Sequence, residues 1–354
     1  MRGSRSQRGD GRGDQADSPF PEHRETSGRH CVTGAVDDGV SGAGHRALTA
    51  RHRAGAGSRR RTGVFALTCG AFAYRVGEEG HNPRRPAREV CPMTSSDQRI
   101  AIVTGAARGI GRGIAERLAR DGLAVAVADL DSMREEAESV AQGIEQAGGR
   151  STALTVDVSD PEQVNALVRG TVERFGKLDV FVANAGIARV NPLLDMTLDE
   201  LDTLVRVNLY GVFNSYQAAA RQMIEQGTGG KIIGAASIAA HKGFEMLGGY
   251  SVTKWGVRGL TQVAAQEWAK HGITVNAYCP GIVGTAMWEL IDEKMTEQSG
   301  EERGTALKRF SESIALGRVE EPRDVASFVS YLASRDSDYM TGQSVMIDGG
   351  IIYN

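Results

Sequence analysis

From Ile100 onward the chain repeats one unit: a short apolar run, a turn, then a stretch with apolar residues three and four apart. Ile100-Ala-Ile-Val103 is apolar throughout, which marks a strand covered on both faces, as in a parallel sheet. The stretch that follows sets Ile110, Ile114 and Leu118 at spacings of four with Ala115 and Ala119 beside them, and Asp121-Gly122 stops it. The same patterns predict strands over 123–128, 152–156, 179–183, 231–235, 274–278 and 344–347. They predict helices over 133–147, 161–175, 201–226, 250–271 and 322–333, with Pro161 where a first turn tolerates it. A Met/Glu-rich excursion over 285–309 is left without an element. Strict strand–helix alternation means parallel strands joined by right-handed crossovers, hence an α/β, doubly wound parallel sheet with helices on both faces. Its ligand belongs at the carboxyl ends of the strands. No repeat or boundary interrupts 93–354, which is expected to be one domain.

Composition changes at the start of that domain. Residues 1–92 hold 16 Arg and no Lys against 10 acids, whereas the remaining residues hold 25 bases and 34 acids. The overall charge of -3 is therefore the sum of a +6 segment and a -9 domain. The first segment shows no sustained period of 2 or 3.6 and cannot bury enough apolar surface to offset its ordering entropy, so 1–92 is expected to be a disordered Arg/Gly-rich extension. Its lack of Lys beside 16 Arg fits translated upstream sequence, with the working protein starting at Met93. Arg59-Arg60-Arg61 before the apolar run 64–74 has the layout of an export signal, but no cleavage site follows it convincingly.

The domain's composition excludes several functions. Its single cysteine, Cys279, rules out a disulfide framework and a Cys-based metal cluster, and fits a reducing, cytoplasmic setting. No run reaches the roughly 18 apolar residues of a membrane helix, and the acidic balance disfavours a nucleic-acid surface. His241 and His271 lack carboxylate or Cys partners at ligand spacing, so both are taken as surface or loop residues and no metal is expected; Cys279 is taken as packed.

Thr104-Gly-Ala-Ala-Arg-Gly-Ile-Gly111 places Gly105, Gly109 and Gly111 between the first strand and its helix, where a backbone can approach a pyrophosphate and a helix N-terminus offers free N–H groups. Asp129 ends the second strand about twenty residues on. A carboxylate there suits the two ribose hydroxyls of NAD and repels a 2′-phosphate, although Arg108 within the loop is contrary evidence. Tyr250 and Lys254 fall four apart on one helix face, and Ser237 lies just past the strand over 231–235, so all three are expected to meet at the strand ends.

The ordered set Thr104-Gly-x3-Gly-x-Gly111, Asn184-Ala-Gly186, Asn208, Ser237, Tyr250-x3-Lys254 and Pro280-Gly281 resembles the short-chain dehydrogenase/reductase family over 99–354, a Rossmann-type fold. The resemblance implies that Tyr250 is the acid/base, that Lys254 together with the positive nicotinamide ring lowers its pKa, that Lys254 also holds ribose hydroxyls, and that Ser237 orients the substrate oxygen. It implies that Asn208 holds a relay water through its backbone and side chain, against the alternative of a buried, satisfied amide. It places Ile110, Asp157, Val158, Asn184, Gly186, Pro280, Gly281, Val283 and Thr285 around the cofactor, and implies a homotetramer.

Gly272–Val283, Met287-Trp288, Asp336–Gln343 and the end of the chain further resemble the family's acetoin/diacetyl reductase (butanediol dehydrogenase) branch. Ile238, Phe244 and Trp288 are the expected apolar walls for a short uncharged ketone, and the first two resemble the (S,S)-butanediol type. A polyol or 3-oxoacyl substrate remains open on the same scaffold, as does a non-catalytic NAD-binding protein.

Overall fold

The computed structural model describes residues 98–353; the expectations for 1–92 lie outside the described residues. Seven strands form one sheet: β1 (Ile100–Thr104), β2 (Ala124–Asp129), β3 (Arg150–Thr155), β4 (Val180–Ala183), β5 (Gly230–Ala235), β6 (Ile273–Pro280) and β7 (Ser344–Ile347). Their order is β3-β2-β1-β4-β5-β6-β7 and every pairing is parallel, as strand–helix alternation requires. The direction of winding reverses between β1 and β4, which opens a crevice at their carboxyl ends.

The alternating side chains of each strand supply two cores. Ile102, Phe181, Ile232 and Val275 pack on one face beneath α3 (Pro161–Phe175), α5 (Gly211–Gln226) and α6 (Gly248–Trp268). Ala101, Val103, Val125, Val182 and Tyr278 pack on the other beneath α1 (Gly109–Arg120), α2 (Arg134–Gln146) and α9 (Pro322–Ala333). Both faces being covered explains why these strands are continuously apolar. Asp160 caps α3 through the N–H groups of Glu162 and Gln163, and Gly176 ends it at φ 95°.

Two expectations need correction. The helix expected over 201–226 begins earlier, as α4 (Leu198–Leu204), because Thr197 and Glu200 form a reciprocal capping box. It then passes through a π turn, Val205–Tyr210, before α5. The excursion over 285–309 is mostly helical, as α7 (Ala286–Ser299) and α8 (Thr305–Ser311). The signal was present: Met287, Ile291 and Met295 recur every four residues.

Candidate active site

The carboxyl ends of β1, β4, β5 and β6 border a cleft of about 1180 Å³. That is larger than the roughly 300–1,000 Å³ of an ordinary small-ligand pocket and allows a long ligand beside a small one. Every residue expected to touch cofactor or substrate lines it; Asn208 does not.

At one end the β1–α1 loop forms a cradle. Gly105 and Gly109 have φ of 64° and 56°, and a Cβ on Gly111 would lie 2.1 Å from the Gly105 carbonyl oxygen. The loop therefore lies close over the start of α1, whose first N–H groups remain available to an anion. Asp129 is fixed at the rim, its Oδ2 accepting from Ala107 N at 2.9 Å and its Oδ1 from Leu130 N at 2.8 Å. Arg108 is exposed and makes no ion pair among the described residues. These features fit a dinucleotide: a Cβ-free cradle for phosphates and a positioned carboxylate for ribose hydroxyls.

Asn184 turns out to be a brace. Its Nδ2 donates to the Thr104 and Gly105 carbonyls at 2.8 and 3.1 Å, and its Oδ1 accepts from the Tyr278 hydroxyl at 2.7 Å. It ties the glycine loop to β6, and Tyr278, absent from the sequence expectations, completes the tie. Asp157 is turned toward Ser159, accepting from its N–H at 2.9 Å and its hydroxyl at 2.8 Å, next to buried Val158. A Cβ on Gly186 would come within 3.2 Å of Asn208 Oδ1 and 3.5 Å of Lys254 Nζ, so this glycine keeps space open at the centre of the site.

The polar centre forms where β5 ends. Ser237 follows it, its Oγ accepting from Ala239 N at 3.1 Å, while Tyr250 and Lys254 occupy successive turns at the start of α6. Lys254 Nζ donates to the Ala235 carbonyl at 2.8 Å and lies 5.4 Å from the centre of the Tyr250 ring. Burial pushes the Tyr250 phenol up to about 12, opposed by a hydrogen bond with Ser237, and pushes Lys254 down to about 8. Lys254 is not among the causes of the Tyr250 shift, which burial dominates. The phenol is held protonated, the form that can donate.

Asn208 is fully buried in the π turn. Its Oδ1 accepts from Ile187 N at 2.8 Å, and its Nδ2 donates to Ile187 O at 2.9 Å and Thr253 Oγ1 at 3.3 Å. The side chain is a satisfied amide bracing β4's exit to α6. The expected water therefore cannot rely on its donors.

Ile238, Phe244 and Trp288 all line the cleft. Sequence reasoning missed Met287, Leu247, Ile291 and Phe310, which pack with Phe244, Tyr250 and Trp288 in one apolar cluster. Trp288 and Phe310 meet edge to face at 5.6 Å. Asp292, 3% exposed, holds this wall together: its carboxylate accepts from Gly304 N at 2.6 Å and Leu307 N at 2.8 Å, fixing α8 onto α7. Pro280, Gly281, Val283 and Thr285 line the cleft between this wall and the glycine cradle.

His241 lies in the turn after β5, as expected of a loop residue; it is partly buried, with Nε2 3.5 Å from Cys279 Sγ, a contact with β6 that sequence spacing does not reveal. Cys279 is wholly buried and burial pushes its thiol up to about 12, so it is packed and unreactive. His271 is exposed. Among the described residues no three His, Cys, Asp or Glu side chains gather as a metal site, and no helix is long and apolar enough to cross a membrane.

Comparison with known proteins gives a consistent result. Residues 105–352 match the family described as enoyl-(acyl carrier protein) reductase. The chain is 50% identical over 256 residues to an L-2,3-butanediol dehydrogenase of Corynebacterium glutamicum, which covers 72% of this chain and 99% of the relative. It is 48% identical over 257 residues to an (S)-acetoin-forming diacetyl reductase of Staphylococcus epidermidis, covering 72% and 99%. A solved short-chain type dehydrogenase/reductase from Mycobacterium marinum superposes with a TM-score of 0.66 at 36% identity, covering 72% of this chain and 96% of that one.

Proposed function

Because the chain belongs to the short-chain dehydrogenase/reductase family, and is therefore an oxidoreductase built for a nicotinamide cofactor, we propose that it uses NAD(H) to reduce diacetyl and (S)-acetoin and to oxidise (2S,3S)-butanediol. The observation that carries this reading is a hydrogen-bonded hydroxyl pair, Ser237 and Tyr250, in a cleft also lined by Ile238, Phe244 and Trp288, the last two packed with Tyr250. A small ketone with methyl ends has one kind of surface for each. A polyol would leave hydroxyls unpaired there, at a cost of roughly 1–3 kcal/mol each. The names of the two relatives point to the same substrates.

The bound nicotinamide would supply or take the hydride, and its oxidised ring would bring a positive charge. Ser237 orients the carbonyl oxygen and Tyr250, kept protonated by burial, donates to it. Lys254, anchored by the Ala235 carbonyl, holds ribose hydroxyls and links Tyr250 to a proton path that uses the backbone of the π turn around Asn208. Asn184 and Tyr278 keep the glycine loop in place.

Asp129 sets the choice of NAD. At ~5 Å and an effective dielectric constant of ~20, its charge opposes each phosphate charge by about 3 kcal/mol. Arg108, exposed and surrounded by water, recovers less. The working unit in this reading is 93–354, cytoplasmic and homotetrameric. The apolar residues exposed on α5 and α6, such as Phe213, Val252 and Trp255, supply contact surface for assembly.

Steady-state rates for diacetyl, the acetoin enantiomers and the butanediols, with each of NADH, NADPH, NAD and NADP, test the reading. It expects turnover of the S-configured four-carbon substrates with NAD(H); a preference for polyols or 3-oxoacyl esters would replace it.

A further inference from the structure

Glu320 stands outside every motif in the sequence, two residues before the Pro322 that opens α9. Its backbone nonetheless pairs with the loop after β6: its N–H donates to Ile282 O at 2.8 Å and its carbonyl accepts from Gly284 N at 2.9 Å, forming a bridge with Val283. Its side chain turns back into the same loop, where Oε2 accepts from Gly281 N at 3.0 Å. The residue is 8% exposed. Gly281 has no room to retreat, because a Cβ there would already lie 2.9 Å from Asp348 Cα. The segment gripped in this way, 280–285, is one whole side of the cleft.

We propose that Glu320 is a positioning residue for the cofactor, its carboxyl setting where the 280–285 loop meets the nicotinamide end of the ligand. This rests on the nicotinamide reading above. The backbone bonds survive any substitution, so the role specific to this side chain is the bond to Gly281.

That bond has an unusual partner. Glu320 Oε1 is buried without any hydrogen bond among the described residues, an expensive arrangement for a carboxylate and a cheaper one for a neutral acid. Burial pushes the group up to about 8; the Gly281 N–H bond and Arg318 in the preceding loop oppose that rise, while Asp324 at the start of α9 and Asp348 after β7 add to it. Below that pH it is a neutral acid whose Oε2 accepts from Gly281 and whose Oε1 carries the proton. Above it, a buried carboxylate whose Oε1 has no hydrogen bond among the described residues lies near Asp348, an arrangement that favours a shift of the loop to admit water.

The sign follows from proton linkage. The folded state keeps this proton when the unfolded state has lost it, so rising pH costs stability from the ordinary Glu pKa up to about 8, and the full cost is present above that. Cofactor binding, which needs the loop in place, should weaken on the alkaline side.

The test is NADH affinity by fluorescence titration at pH 6.5–9.5 for wild type, Glu320→Gln and Glu320→Ala, with thermal unfolding of the ligand-free proteins over the same range. Glutamine reproduces the neutral acid, so it should bind as wild type does at pH 7. Wild-type Kd should then rise about tenfold more than that of Gln by pH 9, as loss of a required proton with this pKa predicts. Lys254 titrates in the same window in both proteins, so their difference isolates Glu320. The Ala variant should bind several-fold more weakly at every pH. Wild type, but not Gln, should lose melting temperature across the range. Superimposable wild-type and Gln curves would overturn the assignment even if Ala fails to fold, as would an Ala variant that binds like Gln. If wild type does not bind NADH at all, the nicotinamide reading falls and takes this inference with it.

Discussion

The floor and the roof of the cleft are held by different forces. The floor is a lattice of hydrogen bonds to backbone atoms: Lys254 to Ala235, Asn208 to Ile187, Asn184 to Thr104 and Gly105. The roof, α7 and α8, is held by apolar contact among Trp288, Phe310, Met287 and Ile291, with the Asp292 carboxylate as its internal fastening. Directional bonds fix atoms to the few tenths of an ångström that proton and hydride transfer require, whereas apolar contact fixes volume and leaves angles free. The floor is suited to chemistry and the roof to selecting shape.

Substitutions separate the two. Tyr250→Phe should lower kcat roughly a hundred- to ten-thousandfold, with NADH affinity within about twofold of wild type by fluorescence titration. Asp129→Ser, at the floor's cofactor end, should move the NADH/NADPH ratio of kcat/KM about a hundredfold toward NADPH, matching the ~3 kcal/mol charge argument. A protonated phenol suits reduction and opposes oxidation. In the wild type, butanediol oxidation should therefore climb by up to about tenfold per pH unit from neutrality while diacetyl reduction stays nearly flat, as parallel pH–rate profiles would show.

The roof should respond more gently. Asp292→Ala removes the acceptor for two part-buried N–H groups and should cost about 2 kcal/mol of stability, read in urea unfolding. It should raise KM for diacetyl about tenfold with kcat changed much less; equal losses in both would erase the distinction between floor and roof. Gly143→Ala on α2, where an added Cβ meets nothing within 4 Å, is the control: stability should rise by about 0.5–1 kcal/mol with kinetics unaltered.

The contrast also explains what the sequence disclosed. Residues of the floor carry their geometry in local pattern: the spacing of Tyr250 and Lys254 is one helical turn, and glycines at 105 and 109 answer to positive φ. The order of the sheet follows from the same alternation. Contacts between distant segments leave no such trace. Phe310 reaches Trp288 where Asp292 folds α8 back, Tyr278 reaches Asn184 across the sheet, and Cys279 on β6 meets His241 in the turn after β5. The π turn around Asn208 and the burial that raises the Tyr250 pKa are likewise products of packing, so sequence pattern singles out the tyrosine without its protonation state.

The central claim is a hydroxyl pair facing an apolar wall, served by NADH. Its most direct test is to reduce diacetyl with purified protein and NADH and resolve the acetoin and butanediol formed by chiral chromatography. The account predicts NADH oxidation matched by (S)-acetoin and (2S,3S)-butanediol, with NADPH about two orders of magnitude less effective. No turnover of diacetyl with NADH, or carbinol centres of R configuration, would contradict it.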